Sequence, residues 1–177
     1  QRSVARVRQV SLEPVLRRLP RLAREAAANL GKTVRFILEG ETARVDKEMA
    51  DQLFEPLLHI VRNAVDHGVE PASDRAANGK PPEGKIQLSV RPEGNGIKIM
   101  IADDGRGIDA QALRETAIAK RLMNSDAAAA LSDAEALRII FLPGFSTAEK
   151  ATSLSGRGVG MDGVKGGVER LAGTITV

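Results

Sequence analysis

Apolar residues recur with a helical period in several segments of this chain, and each such segment predicts an amphipathic helix. The first apolar stripe stops at Gly31 and the second at Gly68, which are typical helix ends. Ser132 followed by Glu135 forms a capping-box pattern ahead of another predicted helix. The predicted helices cover residues 11–30, 47–67, 110–122, 133–141 and about 159–171.

Apolar and polar residues alternate with a period of two in shorter segments, and this alternation predicts strands. The predicted strands cover residues 34–38, 86–90, 97–101 and 174–177. Pro92–Gly96 predicts a hairpin turn, and polar residues 72–84 predict a loop or a short irregular helix. Because helices and hairpin strands are segregated along the chain, we expect an α+β sandwich with the helices packed on one face of the sheet.

The composition narrows the class of protein without indicating an activity. With 177 residues the chain can form one domain with a substantial core. It contains no Cys, which excludes disulfides and thiolate metal sites and is compatible with the cytosol. The longest apolar stretches, at residues 97–102 and 137–142, are too short to cross a bilayer, so direct membrane insertion is not expected.

The net charge of +3 has its basic excess at residues 2–24. A basic helix is one feature of nucleic-acid binding. Here, however, the Arg residues occupy the solvent positions of the helical pattern, and the four aromatic residues, all Phe, provide no stacking platform for bases. We therefore interpret the segment as a solvated helix face and expect no nucleic-acid partner.

Imidazole, guanidinium, amide and carboxylate groups are concentrated on one face of the second predicted helix. These residues are His59, Arg62, Asn63, Asp66 and His67. Titratable and metal-capable groups beside apolar residues are typical of a site built into a helix that faces a pocket. A solvated face is the alternative, but such a face normally carries Lys–Glu pairs four residues apart, and this one has none before Glu70.

An Asp-x-Gly-x-Gly segment, Asp103 to Gly107, directly follows a predicted strand. Gly105 and Gly107 would allow a flat or charged ligand to approach the backbone, and the Asp103 carboxylate could accept hydrogen bonds from an exocyclic amine. The alternative is an ordinary strand-to-helix turn, since Asp-Gly pairs are common in turns.

A Gly-x-Gly-x-Gly segment, Gly156, Gly158 and Gly160, precedes the last predicted helix. Backbone N–H groups at a helix N terminus suit phosphates, and a flexible hinge is the alternative. The segment lacks the Gly-Lys-Ser/Thr of a Walker loop and the βαβ unit of a Rossmann fold. Upstream, Phe141 and Phe145 flank a Pro-Gly pair in a segment that is either a lid or a loop anchored by its aromatics.

Taken together in chain order, these segments resemble the N box, first glycine box, F box and second glycine box of the GHKL ATPase superfamily. Within it, His-x-x-Arg-Asn-x-x-Asp-His-Gly-x-Glu from His59 and Ser-Gly-Arg-Gly-Val-Gly-Met-Asp from Ser155 are similar to the ATP-binding catalytic domain of CheA-type chemotaxis histidine kinases. The resemblance runs from about Val10 to Val177. It implies a two-layer α+β sandwich of helices on a mixed, largely antiparallel sheet whose last strands this chain does not reach.

The resemblance implies ATP and Mg²⁺ as ligands and suggests roles for individual residues. Asn63 would bind the Mg²⁺ that bridges the ATP phosphates, His67 would lie near the phosphates, and Asp103 would accept from the adenine amine. His59 stands where hydrolytic members of the superfamily carry a Glu, and it would orient or activate the nucleophile. The other expected ATP-binding residues are Gly105, Gly107, Ser146, Thr147, Gly156, Gly158 and Gly160.

The implied activity is transfer of the γ-phosphoryl group to a histidine on a separate phosphotransfer domain. Residues 1–10 would be the tail end of a preceding dimerisation segment, residues 11–177 a C-terminally truncated catalytic domain, and residues 122–160 approximately its lid. For the whole protein, the resemblance implies a cytoplasmic homodimer that works with a coupling (adaptor) protein, with receptors and with a downstream response regulator.

Two other functions stay open. One is a catalytically silent nucleotide-binding or scaffold module of a signalling protein. It is favoured by Gly163, Gly166 and Gly167 in the last predicted helix, since each Gly costs about 1 kcal/mol relative to Ala. These glycines also predict a frayed helix and a loosely ordered lid. The other function is ATP hydrolysis, against which His59 argues.

Overall fold

The computed structural model describes residues 8–145 and 160–177, and the chain divides into two compact units after Gly107. The first unit contains both sheets. Its strands are β1 (Gln9–Ser11), β2 (Val34–Glu39), β3 (Arg44–Asp46), β4 (Gly84–Glu93) and β5 (Gly96–Asp103). Its helices are α1 (Glu13–Leu16), α2 (Leu19–Asn29), α3 (Lys47–Asn63) and α4 (Ala72–Ala77), and a π-helical turn, Ala64–Gly68, directly follows α3.

The main sheet of the first unit has the order β2-β4-β5, with β2 parallel and β5 antiparallel to β4. Its apolar face packs against α2 and the end of α3 in one buried cluster that includes Ala23, Val61 and Ile86. The register places Ile86 opposite Asp103, so this carboxylate continues an apolar row at the end of β5. The predicted α+β sandwich of helices on a mixed sheet is confirmed.

A second, two-stranded sheet pairs β1 with β3 in antiparallel fashion. Val10 lies opposite Val45, and Arg44 Nη2 donates to the carbonyl of Gln9 at 2.8 Å. The sequence did not predict this sheet, because strands of three residues are too short to show an alternation.

The first predicted helix is wrong in one respect, since residues 11–30 contain two helices. Pro20 lacks an N–H group, and in a continuous helix its ring would clash with the carbonyl of Leu16. Helix α1 therefore ends at Leu16, and α2 begins at Leu19 with Pro20 in its first turn.

The second unit is helical in its described residues. It contains α5 (Ala110–Ala119), α6 (Ser125–Ala130), α7 (Asp133–Leu137), a 3₁₀ turn (Arg138–Phe141) and α8 (Met161–Arg170). Ala117, Ala136 and Ile139 form its buried cluster. The predicted capping box is confirmed, since Glu135 Oε2 accepts from the Ser132 N–H at 2.8 Å and Ser132 Oγ from the Glu135 N–H at 3.3 Å.

The strand predicted at residues 174–177 is wrong, because these residues form no strand. A strand needs a partner for its backbone hydrogen bonds, and the described residues of the second unit contain no other strand. Among the described helices, none combines the length and the apolarity needed to span a membrane.

Candidate functional site

Helix α3 carries the polar residues that the sequence singled out. His59 and Asn63 are half-buried and one helical turn apart, and Asn63 is the last residue of α3. His67 is exposed and lies in the π-helical turn that follows. The predicted regular helix over residues 47–67 is therefore wrong after Asn63. There the helical turn widens, and the residues that follow no longer continue the polar face of α3.

Two contacts stabilise the π-helical turn. The N–H of Val69 donates to the carbonyl of Ala64 at 2.8 Å, which closes the wide turn. Lys32 lies just before β2, and its Nζ donates to the carbonyls of Val65 at 2.8 Å and Asp66 at 3.0 Å. The ammonium supplies hydrogen bonds to carbonyl groups at the C-terminal end of the helix, and its positive charge interacts favourably with the negative end of the helix dipole.

The turn brings Gly68 against the end of β5. The N–H of Arg106 donates to the carbonyl of Gly68 at 3.0 Å. A Cβ at Gly68 would lie 2.8 Å from Asp103 Oδ1, and a Cβ at Gly105 would lie 2.2 Å from the Gly68 carbonyl oxygen. Both glycines are therefore needed for the close approach of the two backbones. The contact of Gly68 with Asp103 and Gly105 is called the corner below.

Asp103 is the last residue of β5, and its side chain is held by the following loop. Its Oδ1 accepts from the N–H of Gly105 at 2.9 Å. Gly107, further along the same loop, has φ +73°, a conformation that L side chains rarely adopt. The structure thus brings together two distant parts of the sequence, namely the end of the polar helix and the segment that carries the exposed Asp103 carboxylate with its glycine loop.

A buried ion network lies directly behind this loop. The side chain of Arg75 is fully buried and donates from Nη2 to Asp104 Oδ2 at 2.9 Å and from Nη1 to Glu70 Oε2 at 3.1 Å. Its Nε donates to the carbonyl of Pro81 at 2.7 Å. A buried guanidinium needs several such acceptors, because an unpaired charge in the interior strongly destabilises the folded state.

Lys80 completes the network with bonds to the loop itself. Its Nζ donates to Glu70 Oε1 at 2.8 Å, to the carbonyl of Asp104 at 3.1 Å and to the carbonyl of Gly105 at 2.8 Å. The charges of two cations and two carboxylates thereby cancel, and these bonds hold the segment between α3 and β4 against the loop that follows β5.

The network shifts the ionisation of its carboxyl groups. The hydrogen bond from Lys80, followed by one from its own backbone amide, lowers the pKa of Glu70 from 4.5 to about 2. Burial would raise the pKa of Asp104, but the backbone N–H of Lys85 and the guanidinium of Arg75 lower it. Burial would likewise lower the pKa of Arg75, and the hydrogen bonds and charges of Asp104 and Glu70 raise it instead. All three groups are therefore charged at neutral pH.

In the second unit, the expected phosphate-loop residue Gly160 is buried and caps the start of α8. Phe145 packs against the apolar cluster of this unit, under the ammonium of Lys120, whose distance to the ring centroid is 5.5 Å. This contact fits a loop anchored by its aromatics. Four expected ATP-binding residues lie outside the described residues, and they are Ser146, Thr147, Gly156 and Gly158.

The residues present suit a magnesium ion that is held mainly by the phosphates of a bound nucleotide, the ligand that the family resemblance implies. Asn63 offers a neutral amide oxygen at the end of α3. The described residues contain no cluster of three or more His, Cys, Asp or Glu that could hold a metal ion. The family resemblance implies that the phosphates of ATP would supply the negative charge around such an ion.

Sequence reasoning missed Arg75, Lys80 and Lys32, all of which hold the corner in place. Lys80 and Arg75 lie in a polar segment without periodicity, and their bonds to Asp104 span 24 and 29 residues. The only local signal would have been a basic residue in the polar segment that follows the polar helix, and such residues are too common to indicate a site.

Comparison with known proteins gives matches over the whole chain. The sequence profile of the "Histidine kinase-, DNA gyrase B-, and HSP90-like ATPase" family matches residues 48–177. The "Sensor histidine kinase CheAY" of Helicobacter pylori is 44% identical over 177 residues, which are 100% of this chain and 22% of that protein. The "Gliding motility regulatory protein" of Myxococcus xanthus is 47% identical over 98% of this chain and 22% of that protein.

A "Chemotaxis protein CheA", from Rhizobium meliloti, is 47% identical over 100% of this chain and 23% of that protein. The chain thus spans 22–23% of the length of these three relatives.

Proposed function

The chain belongs to the histidine kinase-, DNA gyrase B- and HSP90-like ATPase family, and from this premise we propose that it binds Mg-ATP and transfers the γ-phosphoryl group to a histidine on a separate phosphotransfer domain. The observation that carries the proposal is the corner at which Gly68 and Gly105 meet the Asp103 carboxylate.

Adenine recognition is proposed for Asp103. The carboxylate lies at a strand end, is exposed, and is held through Oδ1 by the Gly105 amide. An ionised carboxylate accepts strongly from an exocyclic amine, and the flat base can lie against a backbone that carries no Cβ. A base with a carbonyl in place of the amine would place two acceptors together, which gives selectivity.

Phosphate binding is proposed for the end of α3 and the turn that follows. Asn63 would contribute an oxygen to the Mg²⁺, and the exposed imidazole of His67 would lie near the phosphates. When bound, the Mg²⁺ would neutralise part of the phosphate charge and help to hold the γ-phosphoryl group for transfer.

His59 is proposed as the residue that separates phosphotransfer from hydrolysis. It is half-buried one turn before Asn63, where hydrolytic relatives of the superfamily carry a water-activating Glu. Glu55, a further turn away, is exposed. An imidazole there can orient the acceptor or take up a proton, and general-base action typically contributes about 10²–10⁴-fold. Alignment and charge neutralisation would supply the rest.

For the whole protein we propose a cytoplasmic, chemotaxis-type signalling kinase. Relatives named "Chemotaxis protein CheA" support this context. Homodimer formation, a coupling (adaptor) protein, receptors and a response regulator are the partners that this context implies.

The test is phosphotransfer to a separate acceptor. The chain is mixed with radiolabelled Mg-ATP and a histidine phosphotransfer domain, and acid-labile phosphate on that domain is measured. We expect transfer by the wild type, a loss of about 10²-fold or more in His59→Gln, and none to an acceptor whose histidine is replaced. ATP binding without transfer, unaffected by His59→Gln even in the full-length protein, would favour the catalytically silent module instead.

A further inference from the structure

We infer that Lys80 is a positioning residue for base selectivity, because it fixes the peptide group whose N–H holds the Asp103 carboxylate. The inference rests on the proposed function, in which Asp103 accepts from the adenine amine. Lys80 itself contacts the loop rather than the nucleotide.

One peptide group, between Asp104 and Gly105, is held from both sides. Its carbonyl oxygen accepts from Lys80 Nζ at 3.1 Å and from Arg75 Nη1 at 3.3 Å. Its N–H donates to Asp103 Oδ1 at 2.9 Å. Because the C=O and N–H of a trans peptide point in opposite directions, two cations on one side and a carboxylate on the other fix the rotation of the peptide plane.

The same arrangement strengthens the bond to Asp103. A cation on a carbonyl oxygen polarises the peptide, and a polarised peptide has a better N–H donor. Lys80 also holds the next carbonyl, that of Gly105, at 2.8 Å, so two successive peptide groups cannot rotate independently. The Asp103 carboxylate is therefore oriented before any ligand arrives, which is what a selective acceptor requires.

Lys80 uses its full hydrogen-bonding capacity in this task. An ammonium has three donors, and here they meet Glu70 Oε1 at 2.8 Å and the carbonyls of Asp104 and Gly105. Its side chain is 32% exposed, whereas that of Arg75 is fully buried. Lys80 is consequently the member of the network that can be replaced with the smaller effect on folding.

The experiment compares ATP with inosine triphosphate, which carries a carbonyl in place of the exocyclic amine. Affinities of the full chain for both nucleotides are measured for wild type, Lys80→Met and the matched control Lys98→Met, whose side chain is 57% exposed at β5. We expect Lys80→Met to weaken ATP binding about tenfold and inosine triphosphate binding far less, so that the selectivity ratio falls. Lys98→Met should leave both affinities unchanged.

An equal loss for both nucleotides, or an unchanged ratio, would overturn the inference and leave Lys80 a merely structural role. If Lys80→Met fails to fold, Lys80→Gln, which keeps an amide donor, is measured by the same ratio. A wild-type chain that binds ATP without preference over inosine triphosphate would instead overturn the role proposed for Asp103, so the two failures are distinguishable.

A second readout is independent of ligand. The amide proton of Gly105 should resonate downfield in the wild type because it donates to a carboxylate through a polarised peptide. In Lys80→Met we expect it to move upfield, as in Asp103→Asn, with the fold intact. An unchanged Gly105 resonance in Lys80→Met would contradict the positioning role.

Discussion

Gly68 and Gly105 approach so closely that a Cβ on Gly105 would lie 2.2 Å from the carbonyl oxygen of Gly68 and 2.3 Å from its carbonyl carbon. Gly68 ends the turn after α3, and Gly105 lies in the loop after β5, so their contact joins the polar helix to the Asp103 carboxylate. The neighbouring hydrogen bond from the Arg106 N–H to the Gly68 carbonyl, at 3.0 Å, keeps the two segments in register.

Gly105→Ala should destabilise the first unit, because the clash is with backbone atoms that cannot rotate away. Overpacking of this kind costs about 1–3 kcal/mol, and separation of the two segments would add to it. Urea unfolding measures the change. Gly96→Ala, at the start of β5, is the control and should be close to neutral, since a Cβ there would lie 3.9 Å from the nearest neighbouring atom. Equal stability of the two variants would contradict the tight contact.

Gly68→Ala should act on binding more than on stability. The added methyl would lie 2.8 Å from Asp103 Oδ1 and 3.0 Å from Oδ2, and the carboxylate can swing away where a backbone cannot. Loss of the charged hydrogen bond proposed between adenine and Asp103 would correspond to about 1.5–3 kcal/mol, or roughly 10–100-fold in ATP affinity. Calorimetry together with the thermal midpoint separates the two effects. Undiminished ATP affinity would show that Asp103 does not contact the base.

Arg75→Met should be among the most destabilising single substitutions in the first unit. It leaves the Glu70 and Asp104 carboxylates without their guanidinium, and breaking a buried pair costs about 3–5 kcal/mol. Arg17→Met is the matched control, since that side chain is 64% exposed and its pair with Glu13 should contribute about 0–1 kcal/mol. Denaturant unfolding of both variants checks the difference, and a loss below 1 kcal/mol for Arg75→Met would refute it.

The stability of the first unit should fall in acid. The folded-state pKa of Glu70, about 2, lies below its ordinary value of 4.5, and that of Asp104 is also lowered. Their contribution is complete above pH 4.5 and is lost as the pH falls through this window towards 2. Urea unfolding at several pH values from 5 to 2 gives the free energy of unfolding as a function of pH. This free energy should fall less steeply with decreasing pH for Glu70→Gln than for the wild type. An identical pH dependence would mean that Glu70 is not held as an ion.

The family predicted from the order of the motifs is confirmed by the profile match over residues 48–177. This success has a physical basis, because each motif is local. A helical period reveals α3 and its polar face, and a strand followed by Asp-x-Gly-x-Gly reveals the end of β5. The roles assigned to His59 and Asn63 stay predictions.

What the sequence could not show depends on contacts between distant residues. The π-helical turn has no periodic signal of its own, and Lys32 reaches it from 33 residues away. Lys80 looks like an ordinary loop lysine until the fold places it on the carbonyl of Asp104. Conversely, the alternation at residues 174–177 predicted a strand, but alternation alone supplies no hydrogen-bond partner.

The most direct test of the central claim is calorimetry with ATP, with and without Mg²⁺, on the wild type and on Asp103→Asn. Asp51→Asn, in an exposed surface pair with Lys47, serves as the matched control. The wild type and the control should bind ATP, more tightly with Mg²⁺, and Asp103→Asn should lose at least about tenfold in affinity while it keeps its fold. A wild type that does not bind ATP, or an Asp103→Asn variant that binds it equally well, would contradict the nucleotide site proposed for this corner.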